Sequence, residues 1–477
     1  MLAAMSDVLL PLLQCPACRK GAPRLAPALT PPARGSGVAA DAAASGHECP
    51  ACGQRFPTID GIPWLFPDPA SMLAEWRNRT SLYLHEFALE ARRAREDLAH
   101  LVPGSTAHRR VSALAGAYAR HAEQVRELML PLGVRDGAMA HGTQVAFDTP
   151  LPATQDLHSY HANVHRDWAW GDAENVASYE ALAPALAGVR GPVLVLGAGA
   201  GRLAYDVHRR GTHAPTVALD LNPLLLAVGR RVARGETLRL HEFPLAPLDA
   251  AAFAVERQLA APAPCREGLV FVAADAWRAP FAAQAFDTVL TPWLLDIVDV
   301  EVEEVAMHVN RLLAPGGRWI NFGSLAFPSR RPARRLSREE VRELVAAAGF
   351  EVTAEADHRL PYLQSPASRH ARVETVASFV AEKRRRAPSP AGSGRRLPWL
   401  ADTRLPVPRT ADLELAATAA RIRAVLLALL DGTRSVDDVV RIVAEQGLLS
   451  EAEARVATCR LLQRLHDDAR PNGTASG

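Results

Sequence analysis

The stretch VLVLGAGAGR (193–202) decides the fold. Four apolar residues, Val193 to Leu196, have the run length of a buried strand. They end in the glycine cluster Gly197, Gly199 and Gly201, and Arg202 opens a helical pattern. Glycines let the backbone turn sharply and approach a ligand. The helix N-terminus that follows favours negative charge. Alone, this loop only nominates a nucleotide-like ligand, because dinucleotide oxidoreductases use a similar turn. Their pattern is G-x-G-x-x-G; here the third glycine comes one residue earlier.

Working outward, strands alternate with helices across 151–385. TVALD (216–220) is followed by a helix from Pro223, and LVFVAAD (269–275) comes after a longer insertion. Next are FDTVLT (286–291), a helix through HVNRLLA, and GGRWINFG (316–323). The helix SREEVRELVAAAG, the strand FEVTAEAD and a run near VETVASFVAE close the series. Such alternation predicts an α/β fold with a parallel, doubly wound sheet and a ligand at the carboxyl ends of its strands. Asp220 ends the second strand, with Asn222 just beyond, where a carboxylate can accept both hydroxyls of a ribose. Asp275-Ala276-Trp277 ends the third, where the carboxylate can accept from an adenine amino group and its neighbours can pack on the ring. Glycine loop, Asp220 and Asp275 in this order predict a seven-stranded class I methyltransferase sheet that binds S-adenosylmethionine. The expected donor residues are Gly197, Gly199, Gly201, Arg202, Asp220, Asn222, Asp275, Ala276 and Trp277.

The chain of 477 residues is long enough for several cores. Its 54 basic and 52 acidic side chains leave a net charge of +2, so there is no global field to draw nucleic acid. No apolar run is long enough to span a bilayer, and Met1 to Leu13 lacks a basic leader. Six cysteines do not make a disulfide framework, and a reducing cytoplasm is expected. Residues 1–70 read as a cysteine-marked unit with a low-complexity insertion from about Gly21 to Gly46. Residues 71–150 read as helices broken at Pro103-Gly104 and Pro131-Leu132-Gly133. KRRRAPSPAGSGRRLP (383–398) supplies a linker, placed at 386–400, and 401–470 reads as a small helical domain. Thr433 or Ser435, and Ser450, are the expected N-caps there. Cys265 and Cys459 stand alone and are expected to be buried as small hydrophobes.

Cys15-Pro-Ala-Cys18 and Cys49-Pro-Ala-Cys52 are near-identical turns. Two C-x-x-C turns can aim four thiolates at one tetrahedral ion, which predicts a structural Zn²⁺ site. The long insertion between them raises the closure cost only slowly. Two redox or disulfide pairs are the alternative. His47 is a further donor that four cysteines make unnecessary. Together with PTIDGIPWLFPD (57–68), these turns resemble the small zinc-ribbon proteins that activate tRNA and protein methyltransferases. The resemblance implies a helper module fused in cis; a plain structural cap is equally compatible.

VLGAGAGRLAYDVHRRG (195–211), HEFPLAP (241–247), WLLDIVD (293–299), RWINFGSLAF (318–327), LSREEVRELVAAAGFEV (336–352) and HRDWAWGDAENVASY (165–179) resemble the carnosine N-methyltransferase family. The resemblance spans about 155–383. It implies methylation of a nitrogen in a small molecule or peptide, with an imidazole among the candidates, and it implies that Asp296 is the carboxylate that holds and deprotonates the acceptor. A helix cap is the bland alternative for Asp296. His241, on the insertion, is a second candidate base, although a lone histidine is more often structural. Arg166, Asp167 and Trp168 either close over the donor or merely pack helix on sheet. The sequence departs from the family in two places. Pro328 stands where the family has a histidine, and RHARVETVASF lacks its tyrosines, which leaves the acceptor open.

LLALLDGTRSVDDVVRIVAEQG (426–447) resembles the winged-helix domains of PqqD-like proteins, which bind leader peptides. That implies a protein or leader-peptide partner; a helical cap or dimerisation element is the alternative. Two other classes stay open for the whole chain: a methyltransferase-fold recruitment protein without catalysis, and a nicotinamide-dependent oxidoreductase.

Overall fold

The computed structural model describes residues 8–26, 46–134, 160–211, 215–298, 300–327, 332–387, 404–409 and 411–469. Most of the low-complexity insertion, Pro328 and most of the linker lie outside the described residues. The cysteine turns sit beside a small antiparallel sheet of Arg24–Ala26 (β1), Gly46–Glu48 (β2), Arg55–Ile59 (β3) and Ile62–Pro63 (β4). Asp60 and Gly61, at φ 47° and 69°, make the two-residue turn between β3 and β4.

Two long helices follow, Pro69–Leu98 (α1) and Thr106–Met129 (α2). Asp68 and Ser105 cap them, each accepting a backbone N–H from three residues on, and Pro69 fits the first turn because no amide partner is needed there. The expected breaks fall between and after these helices. Further on, His161–His165 (α3) runs into a π-helical turn, Arg166–Trp170, and then Asp172–Leu186 (α4).

Val193–Leu196 (β5) is buried at every residue, and Thr216–Asp220 (β6) and Leu269–Ala273 (β9) are nearly so. Such near-continuous apolar runs suit strands covered on both faces. Between β6 and β9 lies a hairpin, Leu238–Glu242 (β7) with Val255–Leu259 (β8), which the sequence offered only as an insertion. Phe286–Pro292 (β10), Leu313–Gly323 (β11), Phe350–Tyr362 (β12) and Arg372–Lys383 (β13) complete a seven-stranded sheet of order β12-β13-β11-β10-β5-β6-β9. The connecting helices are Arg202–Arg210 (α5), Pro223–Ala233 (α6), Val302–Leu312 (α7) and Arg338–Ala347 (α8).

One expectation needs correction. The sheet is mixed, because β13 runs antiparallel to both β11 and β12. The reason is local. A nine-residue loop (363–371) joins β12 to β13, too short for the helical crossover that parallel neighbours require. β12 therefore ends at the same side of the sheet as the parallel strands.

The described chain divides into Met1–Ser393 and Gly394–Gly477. The second unit has helices Ala411–Ala428 (α9), Val436–Glu445 (α10) and Glu451–Ala469 (α11) around Leu426, Val439, Val440, Val443 and Ala454. Ser435 caps α10 in a reciprocal capping box with Asp438, and Ser450 accepts the Glu453 amide at the start of α11. No strand occurs in this unit among the described residues. Cys265 is only half-buried and Cys459 is exposed, against the expectation of two buried thiols; Cys459 lies on the outer face of α11. No described helix is long and apolar enough to cross a membrane.

Candidate functional site

The glycine loop sits at the carboxyl end of β5, between β6 and β10. Gly197, Gly199 and Gly201 all hold positive φ, at 68°, 57° and 81°. A Cβ at Gly197 would strike Leu294, and one at Gly201 would strike Phe271, so those two glycines are required by packing. A Cβ at Gly199 would meet nothing within 4 Å. Gly199 therefore faces open space at the carboxyl end of β5.

Asp220, at the end of β6, turns its carboxylate across the loop. One oxygen accepts the Gly199 amide at 2.8 Å and the other accepts the Asn222 amide at 2.8 Å. Each oxygen retains a lone pair for a further donor. Burial pushes the Asp220 carboxyl above its usual range. Asn222 caps α6, accepting from the Leu224 and Leu225 amides. Asp275 follows β9, accepts the Trp277 amide at 2.9 Å, and is likewise raised by burial. Because β5, β6 and β9 are parallel neighbours, the loop, Asp220 and Asp275 share one rim. Arg202 is 2% exposed and its guanidinium is committed to Asp206, Asp172 and the Asp167 carbonyl, a scaffold role. The turn 166–170 lies over the same rim, for Trp168 Nε1 donates to the Ala200 carbonyl at 2.9 Å.

On the other side of the loop, the segment Trp293–Asp296 follows β10. Leu294 backs onto Gly197. Asp296 is 8% exposed; one of its oxygens accepts the Ser324 hydroxyl and the Ala326 amide, the latter at 2.9 Å. Sequence reasoning missed the ring cluster at the start of this segment. Trp293 lies 5.6 Å from Tyr362 and 4.8 Å from Phe322, centroid to centroid. Arg166 lies over both Trp293 and Tyr362, at 5.9 and 5.4 Å, and pairs with Asp167. Tyr362 escaped notice because it comes from the end of β12 rather than from the approach to β13. The mixed topology that puts it here leaves no local signature.

His241 is brought to a different neighbourhood. Its Nδ1 is 3.0 Å from Gln124 on α2, and its ring stacks near Phe243 among His121, His161 and Phe87. Burial lowers its basicity.

The four cysteines 15, 18, 49 and 52 converge, with all four Sγ atoms within 4.8 Å of one another. Cys15 and Cys52 are 3.8 Å apart, and Cys18 and Cys49 3.7 Å. A tetrahedral ion with Zn–S bonds of about 2.3 Å sets its sulfurs about 3.8 Å apart. Disulfides need S–S contact near 2 Å, so the spacing favours one ion over two bridges. The Lys20 amide on its sulfur lowers the Cys18 thiol to about 6, while burial pushes Cys15 up to about 12. The residues fit a structural zinc ion, which would cross-link the two turns.

The methyltransferase-domain family model matches residues 194–321, from β5 to β11. The chain carries a class I, S-adenosylmethionine-dependent methyltransferase domain. Among solved structures, a methyltransferase from Methanosarcina mazei is 16% identical, over 40% of this chain and 92% of its own, with a TM-score of 0.28. A Mesorhizobium loti S-adenosylmethionine-dependent methyltransferase is 15% identical, over 45% and 99%, with a TM-score of 0.30. No curated protein matches the chain.

Proposed function

We propose that this methyltransferase methylates a nitrogen of a small molecule or peptide, and that Asp296 holds and deprotonates the acceptor. The observation that carries the reading is the placement of Asp296. It is a nearly buried carboxylate on the segment that backs the glycine loop, beyond the carboxyl ends of the neighbouring strands β5 and β10. S-adenosylmethionine, when bound, supplies an electrophilic methyl group. The chain's own task is to align a nitrogen lone pair with that methyl and to accept the displaced proton. Ser324 and Ala326 fix one Asp296 oxygen, which leaves the other to meet the acceptor. Trp293 and Tyr362, two tilted rings with Arg166 over both, are the groups set to border that acceptor. The donor residues in this reading are Gly197, Gly199, Gly201, Asp220, Asp275, Ala276 and Trp277, with Arg202 and Asn222 holding the loop and α6 in place. The zinc site is structural. His241 is the weaker candidate for the base, set as it is among the rings of the helical layer. The C-terminal unit is assigned to recruiting a protein or leader peptide.

Incubating cell extract with labelled donor and the protein identifies the acceptor by its label. With that acceptor, Asp296→Asn should lower turnover at least about 100-fold, the scale of general-base catalysis, while leaving S-adenosylhomocysteine affinity within about threefold. Unchanged turnover in this variant removes Asp296 from the chemistry.

A further inference from the structure

The cysteine module is joined to the methyltransferase domain at both flanks of one short segment. Upstream, the Leu65 amide donates to the carbonyl of Ala273, the last residue of β9, at 2.8 Å, and Trp64 bridges Ala273 in parallel. Downstream, the Arg19 guanidinium donates to the Ala279 carbonyl at 3.1 Å, and the Gln14 amide donates to the Pro280 carbonyl at 2.8 Å. The Ala282 amide donates back to Leu12 at 2.9 Å. Between these attachments lie residues 274–278, including Asp275, Ala276 and Trp277.

The Arg19 attachment depends on the metal turn. Arg19 directly follows Cys18 and holds φ 58°, an uncommon conformation for a residue with a side chain. It is kept there by the turn itself: the Arg19 amide donates to the Cys15 carbonyl at 3.0 Å, the Cys15 amide to Gly21 at 2.7 Å, and the Lys20 amide to Cys18 Sγ at 3.4 Å. Asp275 feels the Arg19 charge as a stabilising neighbour. An ion on the four sulfurs locks this turn; without it, nothing covalent ties Cys15 and Cys18 to Cys49 and Cys52.

We propose that the cysteine module is a brace for the adenine wall of the donor site, that metal loading raises methyl-donor affinity, and that Arg19 is the positioning residue that transmits the effect. The proposal rests on the reading of Asp275–Trp277 as the adenine side of the site. By linkage the coupling is reciprocal, so bound donor must tighten metal binding by the same factor.

The test uses the full chain. S-adenosylhomocysteine affinity is measured by calorimetry for the zinc-loaded wild type, the zinc-stripped wild type, Arg19→Ala and Arg19→Lys, with zinc content by elemental analysis. Zinc affinity is measured by chelator competition with and without S-adenosylhomocysteine. Stripping the metal should weaken S-adenosylhomocysteine about tenfold, within the usual span of coupling between two sites. Arg19→Ala should keep its zinc and weaken the ligand by at least about threefold, a large share of that coupling. Arg19→Lys, which can still donate to Ala279, should recover part of the loss. S-adenosylhomocysteine should tighten zinc by the factor that zinc tightens S-adenosylhomocysteine. A loosened fold alone would not give the lysine rescue. Equal ligand affinity in zinc-loaded wild type and Arg19→Ala overturns the proposal, as does zinc affinity indifferent to the ligand. A zinc-loaded wild type that does not bind S-adenosylhomocysteine at all overturns the donor reading itself, and the brace with it.

Discussion

Three glycines in five residues look equivalent in a sequence, yet their reasons differ. Gly197 and Gly201 are held by neighbours, Leu294 and Phe271, whereas Gly199 borders open space. Gly199→Val should therefore act on the ligand more than on the core. S-adenosylhomocysteine affinity should fall more than about tenfold, with the melting temperature lowered only by the strain of a branched residue at positive φ. Retained affinity by calorimetry would count against the loop as the donor's cradle. At this scale much was legible, because Asp220 and Asp275 follow strands whose ends a short apolar run marks plainly. What could not be read was how the side chains are employed. Arg202 spends its charge on Asp206, one helical turn along, and on Asp172, and Asn222 its carbonyl on a helix cap; the Asp172 partner is the one that local spacing does not fix.

At the scale of elements, α7 carries a buried imidazole whose titration should be visible. His308 lies 6.3 Å from the Trp277 ring, and burial, then Arg311 and Arg19, lower its pKa to about 3. Its unfolded value is near 6.5, so the folded chain holds it neutral. The unfolded state then binds the extra proton between these values. The stability that His308 contributes is complete above about pH 6.5 and is lost as pH falls toward 3, at about 1.4 kcal/mol per pH unit. Urea unfolding of the first unit at pH 7, 6 and 5 should show His308→Gln losing less with acidification than the wild type, by about that slope. Parallel slopes would mean that His308 titrates normally. The same scale shows where pattern reading fell short. The hairpin β7–β8 is short and carries an ion pair on each face, Arg257–Glu242 and Arg239–Glu256, so it passed for an insertion. The reversal at β13 depends on a loop length, which hydrophobic periodicity does not report. Its consequence, Tyr362 beside Trp293, is the part of the site that sequence could least reveal.

For the whole molecule, the cysteine module and the sheet share one core: Leu9, Leu13, Cys49, Phe56 and Leu65 belong with Val270, Val272 and Phe281. The sequence announced the module by its paired C-P-A-C turns but not this continuity, which arises from contacts far apart along the chain. Cys49→Ala should therefore do more than release metal. Zinc should fall well below one ion per chain by elemental analysis. The thermal transition of the first unit should also drop by several degrees, as loss of a structural ion lowers folding stability. The C-terminal helices, with their own core, should melt unchanged. Full zinc occupancy in the variant would contradict the site.

The central claim is that the rim formed by the glycine loop, Asp220 and Asp275 holds a methyl donor. Calorimetry of the zinc-loaded full chain against S-adenosylhomocysteine tests it most directly. Saturable binding at one site per chain is expected, weakened more than about tenfold in Gly199→Val, with NAD(P)H giving no heat in the same cell. Absence of S-adenosylhomocysteine binding, or binding of the nicotinamide cofactor in its place, would contradict it.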